Sequence, residues 1–432
     1  MRPRARTPCV VAAAAIFGVA LVPLFAHPAA GGPEPVAEGS TADNAQRKAA
    51  WAPDGALYVT YVQEQAGVAH VFVKVTRDAG ASWTALPRLS QAEAFRPCVA
   101  VDSAGRLYVA WSEFVGSVRQ VFTARWDGGQ EWRDREQVSF TPGYSGFPAL
   151  GVDAEDRVHL VWYGFDGETY RVHYRHRGAE GPWSDTTVVS GGVADANSPA
   201  VAVGPDGSVH VAFFASVRGT SEVWYLHGGP GGWDPPERVS AAGQQALRPS
   251  VAVFPAGAPA VAFVEAGGGA PQVVASERGP GGAWSPAQAL SDPAEGGDNP
   301  SLALGADGEG AVFFEVPSGG LRVRALRGGQ WEDLRPLGPP GAARWPSASW
   351  AMSPTNAAAR PTFVVWTEGS AGADHRLAFA VTPAFAAAAP GPMGGAPAPL
   401  APALAALALT GLLLAAAYAA ARRPPAPREP PR

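Results

Sequence analysis

Six tryptophans, Trp83, Trp132, Trp183, Trp233, Trp284 and Trp331, recur at steps of 49, 51, 50, 51 and 47 residues. A second ladder, Pro97, Pro148, Pro199, Pro249, Pro300 and Pro346, stays in phase with them. A strand-rich unit of about 50 residues is too small to bury its own apolar faces, so its copies pack side by side into a radial array, a β-propeller. Such a period fixes architecture and chain closure. It leaves the chemistry open.

Composition agrees. With 52 Gly and 43 Pro in 432 residues and a charged fraction of 16%, the chain suits short strands joined by tight turns. A formal charge of −5 offers no basic stripe for nucleic acid.

The units begin near Gln46, Arg96, Phe147, Ser198, Arg248, Asn299 and Trp345. Each opens with an apolar run such as Pro97–Val101, then a turn such as Asp54-Gly55, Asp206-Gly207 or Asp307-Gly308, whose glycine supplies positive φ. A second strand follows (Leu107–Trp111, Val158–Trp162, Val209–Phe213), then a third, then the tryptophan, and a fourth ending in Val138-Ser139, Val189-Ser190, Val239-Ser240 or Leu290-Ser291. The seventh unit, from Trp345 to about Phe385, has three strands and no final tryptophan. The segment Pro35–Gly39 is similar to the missing strand. The expected fold is therefore all-β, a seven-bladed propeller over residues 34–385 closed by an N-terminal strand, which hides two open sheet edges. A six-bladed ring with a separate terminal element is the alternative.

The ends carry their own signals. Arg2, Arg4 and Arg6, the apolar run Val10 to Phe25 and the small residues Ala29, Ala30 and Gly31 make residues 1–31 a secretory signal peptide, or else an uncleaved anchor. Residues 400–421 are uncharged, Ala- and Leu-rich, and long enough for a transmembrane helix. Arg422 and Arg423 begin a tail (422–432) that should face the cytoplasm, and 386–399 is an Ala/Pro/Gly linker. The expectation is a single-pass plasma-membrane protein with the propeller outside; a cleaved sorting signal has the same layout. Cys98 is the one thiol left after signal removal, on an innermost strand, and forms no redox or metal pair. His159, His210, His173 and His176 have no spacing that demands zinc, and no cofactor or metal is expected.

Thr76-Arg77-Asp78-Ala79-Gly80-Ala81-Ser82-Trp83 matches S/T-x-D-x-G-x-T/S-W. It resembles the Asp box of sialidase-like BNR repeat proteins. Degraded copies stand at Trp126–Trp132, Gly229–Trp233 and Pro280–Trp284. The resemblance covers roughly residues 35–385 and implies a propeller with structural boxes (Asp78, Gly80, Ser82, Trp83) on the face opposite a sialidase active site. It also implies an arginine triad for a substrate carboxylate, a Tyr nucleophile with a Glu, and an Asp acid/base. Phe95-Arg96-Pro97 resembles the arginine-bearing opening, Arg47, Arg248 and Arg344 stand at similar positions, and Tyr144 lies in a loop of the same face. No Asp acid/base or Tyr–Glu pair is evident, which favours a non-enzymatic member; a sialidase-type glycosidase is the alternative.

Second strands end in an acid at Glu113, Glu265, Glu315 and Glu368, and openings without Arg (Phe147, Ser198) face Gly164 and Ala215. That co-occurrence predicts intrablade pairs Arg96–Glu113, Arg248–Glu265 and Arg344–Glu368. Alternatively these groups, with Tyr144, Tyr163 and Phe165 as stacking surfaces, bind a polar ligand at the channel mouth. The rim residues Asp166, Glu168 and Asp195 read as solvated. The overall expectation is a binding or scaffold module for a cell-surface polysaccharide or protein.

Overall fold

A computed structural model describes residues 37–42, 47–78, 80–305, 307–337, 343–349, 362–368 and 376–382. The expected signal peptide, linker, transmembrane helix and tail lie outside the described residues, as do Pro35 and Val36. Among the described residues no helix is long and apolar enough to cross a membrane.

Seven antiparallel sheets follow one another along the chain. Blade 2 shows the pattern: Ala94–Val101, Leu107–Val115, Val118–Trp126 and Arg133–Gln137, each paired with the next. Among the described residues, blade 7 takes Ala343–Ser349, Thr362–Glu368 and Arg376–Thr382 from its own unit. Its fourth strand is Ala37–Glu38, in register with Leu377 and Arg376. Next to it, Ser40 bridges to Val62 of blade 1, and Thr41 donates its amide to Thr367 Oγ1 (2.8 Å) and its hydroxyl to the Trp345 carbonyl (2.9 Å) in blade 7. The N-terminal segment thus ties the first blade to the last.

Burial follows the ring. Seven apolar clusters lie one at each junction, from Val59 and Tyr61 against Val365 and Leu377 between blades 1 and 7, round to Phe313 against Val364 and Trp366 between blades 6 and 7. Each periodic tryptophan wedges against the preceding blade. Trp233 meets Tyr174 edge-on at 4.8 Å, Trp284 meets Tyr225 at 5.0 Å, and Trp132 donates its indole N–H to the Pro87 carbonyl at 2.8 Å. Burying each large side chain is worth roughly 2–3 kcal/mol, so the wedges hold neighbours together rather than finishing their own sheet. The recurring serine at the end of the fourth strand has a repeated task as well. Ser90, Ser139, Ser190, Ser240 and Ser291 each accept an amide of the third strand at 2.7–3.2 Å.

The proline ladder marks a bulge. In blade 2, Ala94 faces Glu113 and Phe95 faces Ser112, but the next pair is Cys98 with Ala110. Arg96 and Pro97 together oppose Trp111 alone, so Pro, which has no N–H, breaks no ladder bond. The residue before each such proline is left-handed: Arg96 (φ 51°), Phe147 (49°), Ser198 (44°), Arg248 (52°), Asn299 (48°) and Trp345 (51°). A non-glycine residue held there costs on the order of 1 kcal/mol. The turn aims six side chains sideways around one mouth of the channel.

Candidate functional site

The bulge decides where the predicted charges go. Arg96 does not reach Glu113. Its guanidinium lies over the Phe147 ring of blade 3 (4.0 Å to the centroid) and donates to Tyr144 Oη at 3.1 Å. Arg248 reaches Asp298 of blade 6 (2.8 Å), not Glu265. Arg344 sits opposite Thr367, one position before the left-handed corner, which Trp345 occupies; it is exposed, and its charge acts on Glu315 of blade 6. The expected intrablade Arg–Glu pairs are therefore overturned, because a two-for-one bulge turns residue 96 or 248 out of the ladder that would have set it beside its own blade's acid.

The acids answer to another partner. Glu113, 3% exposed, accepts the Trp111 indole N–H at 2.7 Å, the amides of Gln91 (3.2 Å) and Ala92 (2.9 Å), and Arg135 at 2.7 Å. Glu368 accepts the Trp366 indole at 3.1 Å. Blade 3 has Gly164 instead of an acid, and there the buried Trp162 indole nitrogen has no partner. In blade 5 the corresponding residue is Phe263, and burial pushes the Glu265 carboxyl above its usual range. Glu315 stands one residue earlier, opposite Asp298; it accepts Asn299 Nδ2 and the Trp345 amide, both at 2.8 Å, yet burial still raises its pKa. Glu113, Glu315 and Glu368 are braces.

What gathers between blades 2 and 3 is an aromatic platform carrying two arginines. Tyr144 lies 5.4 Å from Tyr163, which is 5.4 Å from Phe147 and from Tyr170; Phe165 is tilted against Tyr170 at 5.5 Å. Burial, then the adjacent Tyr144 phenol, push the Tyr163 hydroxyl well above its ordinary pKa, so it is a neutral hydrogen-bonding group. Tyr144 can fold back over the strand because residue 146 is glycine: a Cβ there would meet its Oη at 2.5 Å. Arg119, at the tip of the second hairpin, rests over Phe95 (4.7 Å), Phe114 (5.1 Å) and Tyr144 (5.1 Å). No carboxylate among the described residues pairs with it. Arg96, Arg119, Tyr144 and Phe147 are each half-buried.

The opposite face is quiet. Asp78 accepts Ser82 N (2.9 Å), Ser82 Oγ (2.6 Å) and Thr76 Oγ1 (2.7 Å), and these bonds hold its carboxyl at about 2. Gly80 has φ +93°, and a Cβ there would strike the Phe379 ring at 2.3 Å. Trp83 packs edge-on against that ring at 5.7 Å. The box is a closed structural turn, as its sequence implies. His159 is bound to Asp153 Oδ2 (3.1 Å) and Tyr174 Oη (2.8 Å), and His210 to Tyr225 Oη (2.6 Å). Among the described residues no group of His, Cys, Asp and Glu is arranged to hold a metal.

No protein-family model matches the chain, and no curated protein does. Solved structures do. A lectin from Burkholderia pseudomallei is similar at 16% identity, covering 78% of this chain and 96% of its own, with a TM-score of 0.56. An ulvan lyase, a polysaccharide lyase bound to a saccharide of glucuronic acid and sulfated rhamnose, is similar at 10% identity over 81% of this chain and 95% of that one, TM-score 0.59. The chain is a seven-bladed β-propeller. A microbial sialidase also matches, at 14% identity over 73% of each chain, with a TM-score of 0.46. At these identities the likeness is one of fold.

Sequence reasoning found Arg96, Tyr144, Tyr163 and Phe165 of this platform and missed Arg119, Phe95, Phe114, Phe147 and Tyr170. A signal was available: Phe114 and Arg119 flank the Gly116 turn of one hairpin, at the level of Phe95.

Proposed function

We propose that the propeller is a binding module for acidic polysaccharide, seated on the rim between blades 2 and 3. The observation that carries this is Arg119: a cation laid on aromatic rings, its donors not taken by any described carboxylate. Flat aromatic faces suit the apolar faces of sugar rings, and guanidinium forks suit carboxylate or sulfate groups. A lectin and a polysaccharide lyase of similar fold are consistent with this reading. We extend it to the chain's ends: residues 400–421 tether the propeller outside the plasma membrane. Carbonate extraction and protease protection of intact cells test that tether; a soluble or protease-shielded protein refutes it.

The test of binding is a glycan array with the full chain, followed by titration with the best ligand. Acidic glycans should bind in preference to neutral ones, and Arg119→Ala should weaken them roughly tenfold, the effect of losing one charge-assisted contact. Equal binding of neutral and acidic glycans, or an unaffected variant, refutes the reading. A sialidase-type reaction is less well served. Tyr144 Oη is bonded to Arg96 and to Tyr163 rather than to a glutamate, and Arg248 is occupied by Asp298.

A further inference from the structure

Inside the ring, junctions are stitched by one recurring contact. At three junctions the residue two places after the left-handed corner accepts an amide from the next blade's innermost strand. Ser250 Oγ takes the Leu302 amide at 3.0 Å, Ser301 Oγ takes the Ala348 amide at 2.9 Å, and the Cys98 thiol takes the Leu150 amide. Val201 and Val251 hold the same register, opposite Val211 and Val261, so their amides point the same way. The residues waiting there are Ala149 and Ala200, whose methyl groups accept nothing. Two neighbouring backbone donors therefore open into the channel.

A positive charge shares that space. Arg47 lines two adjoining cavities of about 20 and 90 Å³ in the channel; the smaller is also lined by Val201 and Val251. Arg47 is exposed to the solvent of the channel, while the protein packed around it lowers its pKa, and no carboxylate among the described residues is paired with it. A guanidinium keeps its proton, so it presents a fixed positive charge and spare N–H donors to the space that the two amides also face.

We propose that the channel is a site for a small inorganic anion, held by the Arg47 guanidinium and the Val201 and Val251 amides. The volume suits a monoatomic ion, since a cavity needs only about 10–15 Å³ to hold a water-sized guest. The site is separate from the rim and does not rest on what the rim binds.

Bromide is the probe. The full chain should melt about 2 °C higher in sodium bromide or chloride than in sodium gluconate at equal ionic strength, because binding to the folded state alone raises the transition. Bromide-soaked crystals should show anomalous scattering beside Arg47. Arg47→Gln should abolish the halide dependence. Ala200→Ser, which supplies the missing acceptor to Val251 without touching the charge, should reduce it. Identical melting in the three salts, no bromine signal in the channel, or a halide effect unchanged in Ala200→Ser would each overturn the proposal.

Discussion

In blades 5 to 7 the left-handed corners are met by carboxylates: Arg248 by Asp298 of the next blade, Asn299 by Glu315 of its own, and the Trp345 amide by the same Glu315 of the blade before. In blades 2 and 3 the same backbone device carries Arg96 and Phe147, which meet each other, Arg96 also reaching Tyr144 and Phe147 reaching Tyr163. One arc satisfies its polar groups internally; the other presents cations on aromatic faces. The channel repeats the contrast, with serine stitches after blades 5 and 6 and alanines after blades 3 and 4. In a repeat protein the backbone is nearly constant, so a binding site arises where the internal partner is missing from one copy.

Acid should separate the two arcs most strongly. Blades 3 and 4 bury His159 and His210 as neutral rings, with no counterpart in blades 5 and 6; burial lowers both, His210 to about 4. Above pH 6.5 folded and unfolded rings are alike neutral. As pH falls below that value the unfolded chain takes the proton first, so stability drops until the folded ring follows near 4. For His210 the loss by pH 4 is on the order of 3 kcal/mol. Hydrogen exchange should show blades 3 and 4 losing protection before blades 5 and 6, and His210→Gln should flatten the fall. Uniform loss across the ring would break the contrast.

Glu315→Ala comes next. It leaves Asn299 and the Trp345 amide without their acceptor, so urea unfolding should show a loss of about 2 kcal/mol while glycan binding is unchanged. A weaker glycan complex would mean the acid-satisfied arc also takes part in recognition. Arg119→Ala sharpens the other side. It should cost about 0.5–1 kcal/mol of stability, the worth of a partly exposed cation on aromatic rings, while binding falls roughly tenfold. Smallest is Ser301→Ala, which turns a stitched junction into one like blades 3 and 4; unfolding should register about 1 kcal/mol.

The prediction of paired charges failed for an identifiable reason. Glu113 and Arg96 do occur together in one blade, as do Glu265 and Arg248, and a regular hairpin would have joined them. The bulge inserts one extra residue, and in blade 7 Arg344 falls on the wrong side of it. The acid tracks a tryptophan instead, as Trp111 with Glu113 and Trp366 with Glu368 show. That Pro after Arg96 marks a bulge was legible in principle, since proline is tolerated in an inner strand only where no ladder bond is lost.

Blade number, strand order and the closing N-terminal strand could be read from residue spacing, because turn glycines, bulge prolines and wedge tryptophans act on backbone within a few positions of themselves. The pairing of Arg96 with Phe147 and the seat of Arg119 on Tyr144 could not. Tyr144 lies 25 residues beyond Arg119 and Phe147 lies 51 beyond Arg96, both past the end of the blade that carries the arginine, and one inserted residue in a strand is enough to point a side chain at a different neighbour.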